Sequence, residues 1–122
     1  MSRTVLQPGP QHPITVEPAA ARITVTAGGT PVADTTAALA LQEAKYPTVY
    51  YIPLADVRSD VLKPSDHTTY CPFKGDASYY SIATADGELT DAVWYYREPY
   101  PAVAAIAGHV AFYANRVDIS VG

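Results

Sequence analysis

Proline recurs eleven times in this chain of 122 residues, and seven glycines punctuate the stretches between. Each proline lacks the amide donor that a helix interior or a central ladder needs, and it biases the preceding residue towards extended geometry. Long helices are therefore disfavoured, and short extended segments joined by turns are the natural solution. With 48% hydrophobic residues, a chain of this length fits one globular domain around a modest core.

Two dipeptides place hairpins. In "RITVTAGGTPVADT" β-branched residues alternate around Gly28-Gly29, a pair that takes the positive φ of a primed turn without strain. A two-residue loop there sets Val25 opposite Val32 and Ile23 opposite Asp34, with Ile23, Val25 and Val32 on the inside. In "ASYYSIATADGELTDAVWYY" the Asp86-Gly87 pair predicts a second hairpin. Counting outward pairs Tyr79 with Trp94, Tyr80 with Val93 and Ile82 with Asp91. One face then carries Tyr80, Ile82, Leu89 and Val93. The other carries Tyr79, Trp94 and Tyr96 beside the small residues Ala77, Ser81 and Ala92. Both faces are apolar enough to be covered, the pattern of a hairpin between two layers.

The remaining segments are shorter. "QPGPQHPITVEP" reads as extended, with residues 1–11 a lead-in to a single domain over 12–122 and Ile14 and Val16 as packing points. "AALALQEA" (37–44) is the best helical candidate by propensity, although Leu39 and Leu41 alternate as in a strand. "PTVYYIP", closed in by Pro47 and Pro53, is a short β segment suited to a sheet edge. "PAVAAIAG" suits one or two helical turns with Pro101 at the start, and "HVAFYANRVDISV" suits two short strands around Asn115. The sum is a mainly β, compact two-sheet antiparallel domain of six to nine strands with one or two short helices. Nothing resembles the β-α-β order of a parallel sheet.

Eight basic against twelve acidic residues give a net charge of -4, and no Lys or Arg run supplies a local basic patch. A nucleic-acid partner is not expected. No stretch approaches membrane-spanning length, and no signal-like apolar run follows Arg3. The expectation is a cytoplasmic protein with no membrane partner. The single cysteine forms no internal disulfide and no Cys-x-x-Cys zinc knuckle, so neither a metal nor a cofactor is expected.

Residues with chemistry crowd into one quarter of the chain. Between His67 and Pro101 lie the one cysteine, the one tryptophan and six of the ten tyrosines. In "HTTYCPFKG", Cys71 has His67 four residues before it and Lys74 three after it. A reactive thiol needs such a base or cation, whereas a buried one merely fills a core gap. Lys74 beside Gly75 suits contact with an anion, but no P-loop spacing surrounds it, and a solvated turn lysine is the alternative. Tyr79, Trp94 and Tyr96, joined by Tyr51 and Tyr70, bring apolar bulk with polar tips, as a pocket for a flat ligand does and as an ordinary small β core does. Asp56, Asp60 and Asp66 near His67 match no metal-binding spacing. His109 leads an apolar run and reads as a structural histidine.

The blocks "YPTVYYIPLADV", "LKPSDHTTYCPFKGDASYYSI", "AVWYYREPYPAVAAIAGHVAFY" and "RVD" resemble a bacterial and fungal domain-of-unknown-function family, number 427, over roughly residues 12–119. A nucleotidyltransferase-like label is attached to that family. This chain has neither the Gly-Ser motif nor the paired metal carboxylates of such a transferase. The resemblance implies a β-tent-like fold of two antiparallel sheets. Relatives of that fold hold zinc through two Cys-x-x-Cys pairs or ligands in a three-tryptophan cage, and one cysteine and one tryptophan carry neither over. The positions matching the family pattern are Tyr51, Pro53, Asp56, Cys71, Pro72, Lys74, Gly75, Trp94, Tyr96 and Pro99.

These lines converge on a domain that binds a small-molecule ligand. Its pocket is walled by Tyr79, Trp94 and Tyr96 and includes Tyr51 and Asp56, with Cys71 and Lys74 at the mouth. Two alternatives stand beside it. One is an enzyme with Cys71 as nucleophile, His67 or His109 as base and Lys74 holding a small anionic substrate. The other is a structural or protein-interaction module.

Overall fold

The computed structural model describes residues 3–122; Met1 and Ser2, the first two positions of the lead-in, lie outside the described residues. Ten strands form two antiparallel sheets. In chain order they are β1 (Ile14–Pro18), β2 (Ile23–Ala27), β3 (Thr30–Thr35), β4 (Leu39–Glu43), β5 (Val49–Pro53), β6 (Leu62–Cys71), β7 (Gly75–Thr84), β8 (Gly87–Tyr96), β9 (His109–Phe112) and β10 (Asp118–Val121). The larger sheet runs β1-β4-β5-β9-β8-β7-β6 and the smaller β10-β2-β3. The expected two-sheet, mainly β architecture is the one formed. Among the described residues, helical structure is confined to short 3-10 segments at Leu54–Asp56, Ser59–Val61 and Pro101–Ile106, the last opening on its proline.

Three local expectations need correction. Within 37–44, Leu39–Glu43 forms strand β4, the strand alternative that the alternation of Leu39 and Leu41 offered, because tertiary pairing with β1 and β5 overrides helix propensity. Strand β5 is interior, flanked by β4 and β9. Its prolines are tolerated because Pro53 is the last residue of the strand and Pro47 precedes it. At Gly28-Gly29 both φ are positive, as a primed turn requires, and Ala27–Thr30 and Thr26–Pro31 pair as counted. A bulge then shifts the register, so that Val25 faces Ala33 and Ile23 faces Thr35, where Val32 and Asp34 were expected. Ile23, Val25 and Val32 are nonetheless fully buried.

The second hairpin contains two compensating departures. Gly87 pairs with Thr84, so the loop residues are Ala85 and Asp86, one position earlier than expected. Neither has positive φ; Gly87 does, at the last position of the turn. Ile82 therefore faces Leu89 instead of Asp91. A bulge around Thr90 and Asp91 then restores the expected pairs, Tyr80 with Val93 and Tyr79 with Trp94. Asp91 takes positive φ, with its amide bonded to Ser81 Oγ at 2.9 Å and its carboxylate accepting from Ser65. The bulge also turns Ala92 to the face opposite the one expected.

The large sheet buries both faces. One packs against the small sheet through Ile23, Val25, Val32, Ile52, Ile82, Val93, Val110 and Phe112, a mainly aliphatic core flanked by the partly buried Tyr50, Tyr80 and Tyr95. The other carries Leu41, Tyr51, Ala77, Tyr79, Tyr96 and Ala111 and is partly roofed by Val103 and Ile106 of the 3-10 segment. Ile14 and Val16 of β1 pack on this second cluster.

Candidate functional site

The second face is not fully closed. A cavity of about 420 Å³ opens beside it, lined by Leu41, Glu43, Tyr46, Pro47, Val49, Tyr51, Cys71, Lys74, Tyr79, Trp94, Tyr96 and Tyr113. Strand alternation sets the lining. Leu41 and Glu43 of β4, Val49 and Tyr51 of β5, and Trp94 and Tyr96 of β8 each lie two residues apart and so share a face. The cross-strand pairing of Tyr79 with Trp94 adds β7 to the same wall.

Cys71 and Lys74 arrive through the β6–β7 turn. The Lys74 amide donates to the Cys71 carbonyl at 3.2 Å, a β-turn with Pro72 at the position where its fixed φ fits. Gly75 follows at φ +111, where a Cβ would stand 3.4 Å from the Glu98 carbonyl oxygen. The Cys-Pro-Phe-Lys-Gly block is thus a hairpin turn that carries thiol and ammonium to the cavity together.

The aromatic wall is internally bonded. Trp94 Nε1 donates to the Tyr51 hydroxyl at 3.3 Å, and the two rings meet edge to face with centroids 6.4 Å apart. The Tyr79 hydroxyl is bonded to Thr69 Oγ1 at 2.9 Å and reaches the Tyr113 hydroxyl at 3.4 Å. Tyr113 lies against Trp94, centroids 4.5 Å apart. Burial drives the Tyr51 and Tyr96 phenols well above their ordinary value. Burial, with the hydrogen bond to Tyr79, pushes Tyr113 up to about 12. All three are neutral at physiological pH.

Lys74 lines the cavity and is not a solvated turn lysine. It is 7% exposed and pairs with Glu43 Oε1, with Cys71 Sγ 3.8 Å from its Nζ. The second Glu43 oxygen bonds His12 Nε2 at 2.8 Å, and the His12 ring stacks on Phe73 with centroids 4.2 Å apart. Burial alone would raise the Glu43 carboxyl, but the bonds from Lys74 and His12 outweigh it and hold the group below the usual carboxylate range. A buried lysine is tolerable in a small domain because this carboxylate neutralises it.

The structure therefore brings Tyr51, Cys71, Lys74, Tyr79, Trp94 and Tyr96 to one cavity and leaves other candidates outside it. Asp56 sits in the 3-10 segment after β5, accepting from Thr35 Oγ1 at 2.7 Å. His67 rests against the Tyr79 ring, centroids 4.6 Å apart, and makes no hydrogen bond to Cys71. His109 is bonded to the Ala107 carbonyl at 2.9 Å, and Tyr70 joins Tyr100 and Arg3 away from the cavity. Glu43, Tyr46 and Tyr113 were not anticipated. Glu43 lay in the run read as helical, and its partner Lys74 is 31 residues distant. Among the described residues, no three His, Cys, Asp or Glu side chains gather as a metal site. No helix there is long and apolar enough to cross a membrane.

The domain of unknown function DUF427 matches the chain over residues 15–122, and the chain belongs to that family. No curated protein matches it.

Proposed function

We propose that this protein is a small-molecule-binding β domain whose ligand occupies the aromatic cavity. One observation carries the reading: the domain closes one face of its large sheet with a mainly aliphatic core and leaves on the other a space of about 420 Å³ walled by Tyr51, Tyr79, Trp94, Tyr96 and Tyr113. That volume lies within the ~300–1,000 Å³ typical of ligand pockets, and mostly apolar walls with a few convergent polar groups are their usual composition.

The nucleophile alternative has less support. Cys71 has Lys74 beside it, but that ammonium is already engaged by Glu43, and neither His67 nor His109 is bonded to the thiol. An activated thiol would need its base within hydrogen-bond reach.

The chain's only tryptophan lines the cavity, so its fluorescence reports occupancy directly. A compound screen by thermal shift is expected to yield hits that also move Trp94 emission. Val49→Trp, which fills the cavity from β5, is expected to abolish the stabilisation. Hits that stabilise equally in Val49→Trp, with none moving Trp94 in the parent, would place binding elsewhere and sink the proposal.

A further inference from the structure

The cavity's hydrogen-bonding capacity is lopsided. Its charged groups and its indole are engaged: Glu43 bonds Lys74 on one oxygen and His12 on the other, and the Tyr51 oxygen receives Trp94. Two of its phenol protons are not. Tyr96 is 7% exposed, yet its hydroxyl makes no hydrogen bond to any described residue. Every fully enclosed side-chain polar atom among the described residues is bonded, so this hydroxyl reaches the open space of the cavity. The Tyr51 hydroxyl, on a side chain 1% exposed, spends its oxygen on Trp94 and finds no acceptor for its own proton among the described residues. Both phenols keep their protons, because burial raises them well above their ordinary value. The charges cancel, since Lys74 faces Glu43 directly and no other Lys or Arg lines the space.

A phenol proton that faces the cavity with no acceptor from the protein is free for a ligand, and a ligand that supplies that acceptor gains a hydrogen bond in a largely desolvated site. We infer that the cavity takes a neutral, flat ligand bearing a carbonyl-type acceptor oxygen, its ring against the Trp94 and Tyr113 wall and its oxygen taken by the Tyr96 hydroxyl, with Tyr51 as second donor. The inference rests on the proposed binding function and names its ligand class. A carboxylate would have to compete with Glu43 for Lys74, and a cation would meet Lys74 itself.

Four probes of similar size separate these cases: acetophenone (neutral, acceptor), cumene (neutral, no acceptor), benzoate and phenyltrimethylammonium. The readout is the single indole resonance of ¹⁵N-labelled protein, which belongs to Trp94. Acetophenone is expected to bind about tenfold more tightly than cumene, the size of effect one or two hydrogen bonds produce. The two charged probes should bind no more tightly than cumene. Tyr96→Phe is expected to remove the acetophenone advantage and leave cumene unchanged, with an unfolding temperature equal to or above the parent's, since no hydrogen bond is lost. Tyr51→Phe serves as a second variant, and loss of the advantage in either one supports the assignment. Equal binding of acetophenone and cumene, a charged probe binding best, or an advantage that survives in both variants would overturn the ligand class while the binding function stands. If millimolar concentrations of all four leave the indole resonance unmoved, the binding function itself falls.

Discussion

The large sheet covers its two faces with different chemistry. Towards the small sheet it presents Ile52, Ile82, Val93 and Val110, all essentially without exposure and packed against Ile23, Val25 and Val32. Towards the cavity it presents Tyr51, Tyr79, Trp94 and Tyr96, large rings with polar tips around unfilled space. Branched aliphatic side chains interdigitate to crystal-like density and carry no polar atom that demands a partner. Phenols and an indole cannot do that. Each buried hydroxyl or N–H must be satisfied, and a set of rigid rings closes less completely. The mainly aliphatic face is packed shut, and the aromatic face leaves an open cavity.

The largest effect should come from damage to the aliphatic face. Ile82 is fully buried between the sheets, and Ile82→Ala removes three carbons and leaves a void, a loss of roughly 2–5 kcal/mol. Chemical denaturation should register that loss while Trp94 emission in the folded protein stays near the parent's. A cost below about 1 kcal/mol, or a large shift in Trp94 emission, would mean the two faces are not energetically separate.

Next in size is the ion pair on the aromatic face. Glu43→Gln leaves the Lys74 ammonium buried without a counter-charge, and the usual penalty of about 3–5 kcal/mol shrinks to roughly 2–3 here because Glu43 retains some solvent contact. Glu43→Gln combined with Lys74→Met should recover much of this, since no buried charge is then left. The pair also gives the domain an acid-sensitive limb. The Glu43 carboxyl is held below its unfolded value, so its contribution is complete above the ordinary glutamate value of about 4.3 and is lost as pH falls through the folded value. Stability measured against pH should fall on that limb in the parent and more shallowly in Glu43→Gln. Parallel curves would assign the acid loss to other carboxylates.

The two faces also differed in how far the sequence revealed them. The aliphatic face follows from alternation of β-branched residues about Gly28-Gly29, and its residues are buried although a bulge moves their partners by one. The aromatic wall was legible because Tyr79 and Trp94 do pair. That pairing rests on an earlier turn and the bulge at Asp91, which offset each other. Local dipeptide preference marks a turn well, but a bulge held by Ser65 and Ser81 is a tertiary device with no local signature. Glu43 was hidden for a similar reason. "ALQEA" reads as helix by propensity, and only the folded sheet sets its carboxylate against a lysine in another hairpin.

The smallest expected effect is at Cys71, where the comparison of faces is sharpest. A thiol packed in the aliphatic core would resist alkylation until unfolding, and its replacement by Ser would strand a hydroxyl at a cost of about 1–3 kcal/mol. Cys71 belongs to the other face. It is partly exposed, lines the cavity and has Lys74 Nζ 3.8 Å from its sulfur. A serine hydroxyl there can accept from that ammonium or reach water in the cavity, so Cys71→Ser should cost less than about 1 kcal/mol. Iodoacetamide should label native Cys71 without unfolding, because the cavity that the thiol lines supplies the route in. Labelling should then slow when a thermal-shift hit occupies the cavity and in Val49→Trp, while the denatured protein labels at the same rate in every case. A native rate indifferent to both would detach Cys71 from the cavity. A native protein that labels only after unfolding would move the thiol into the closed core and erase the contrast between the faces at this position.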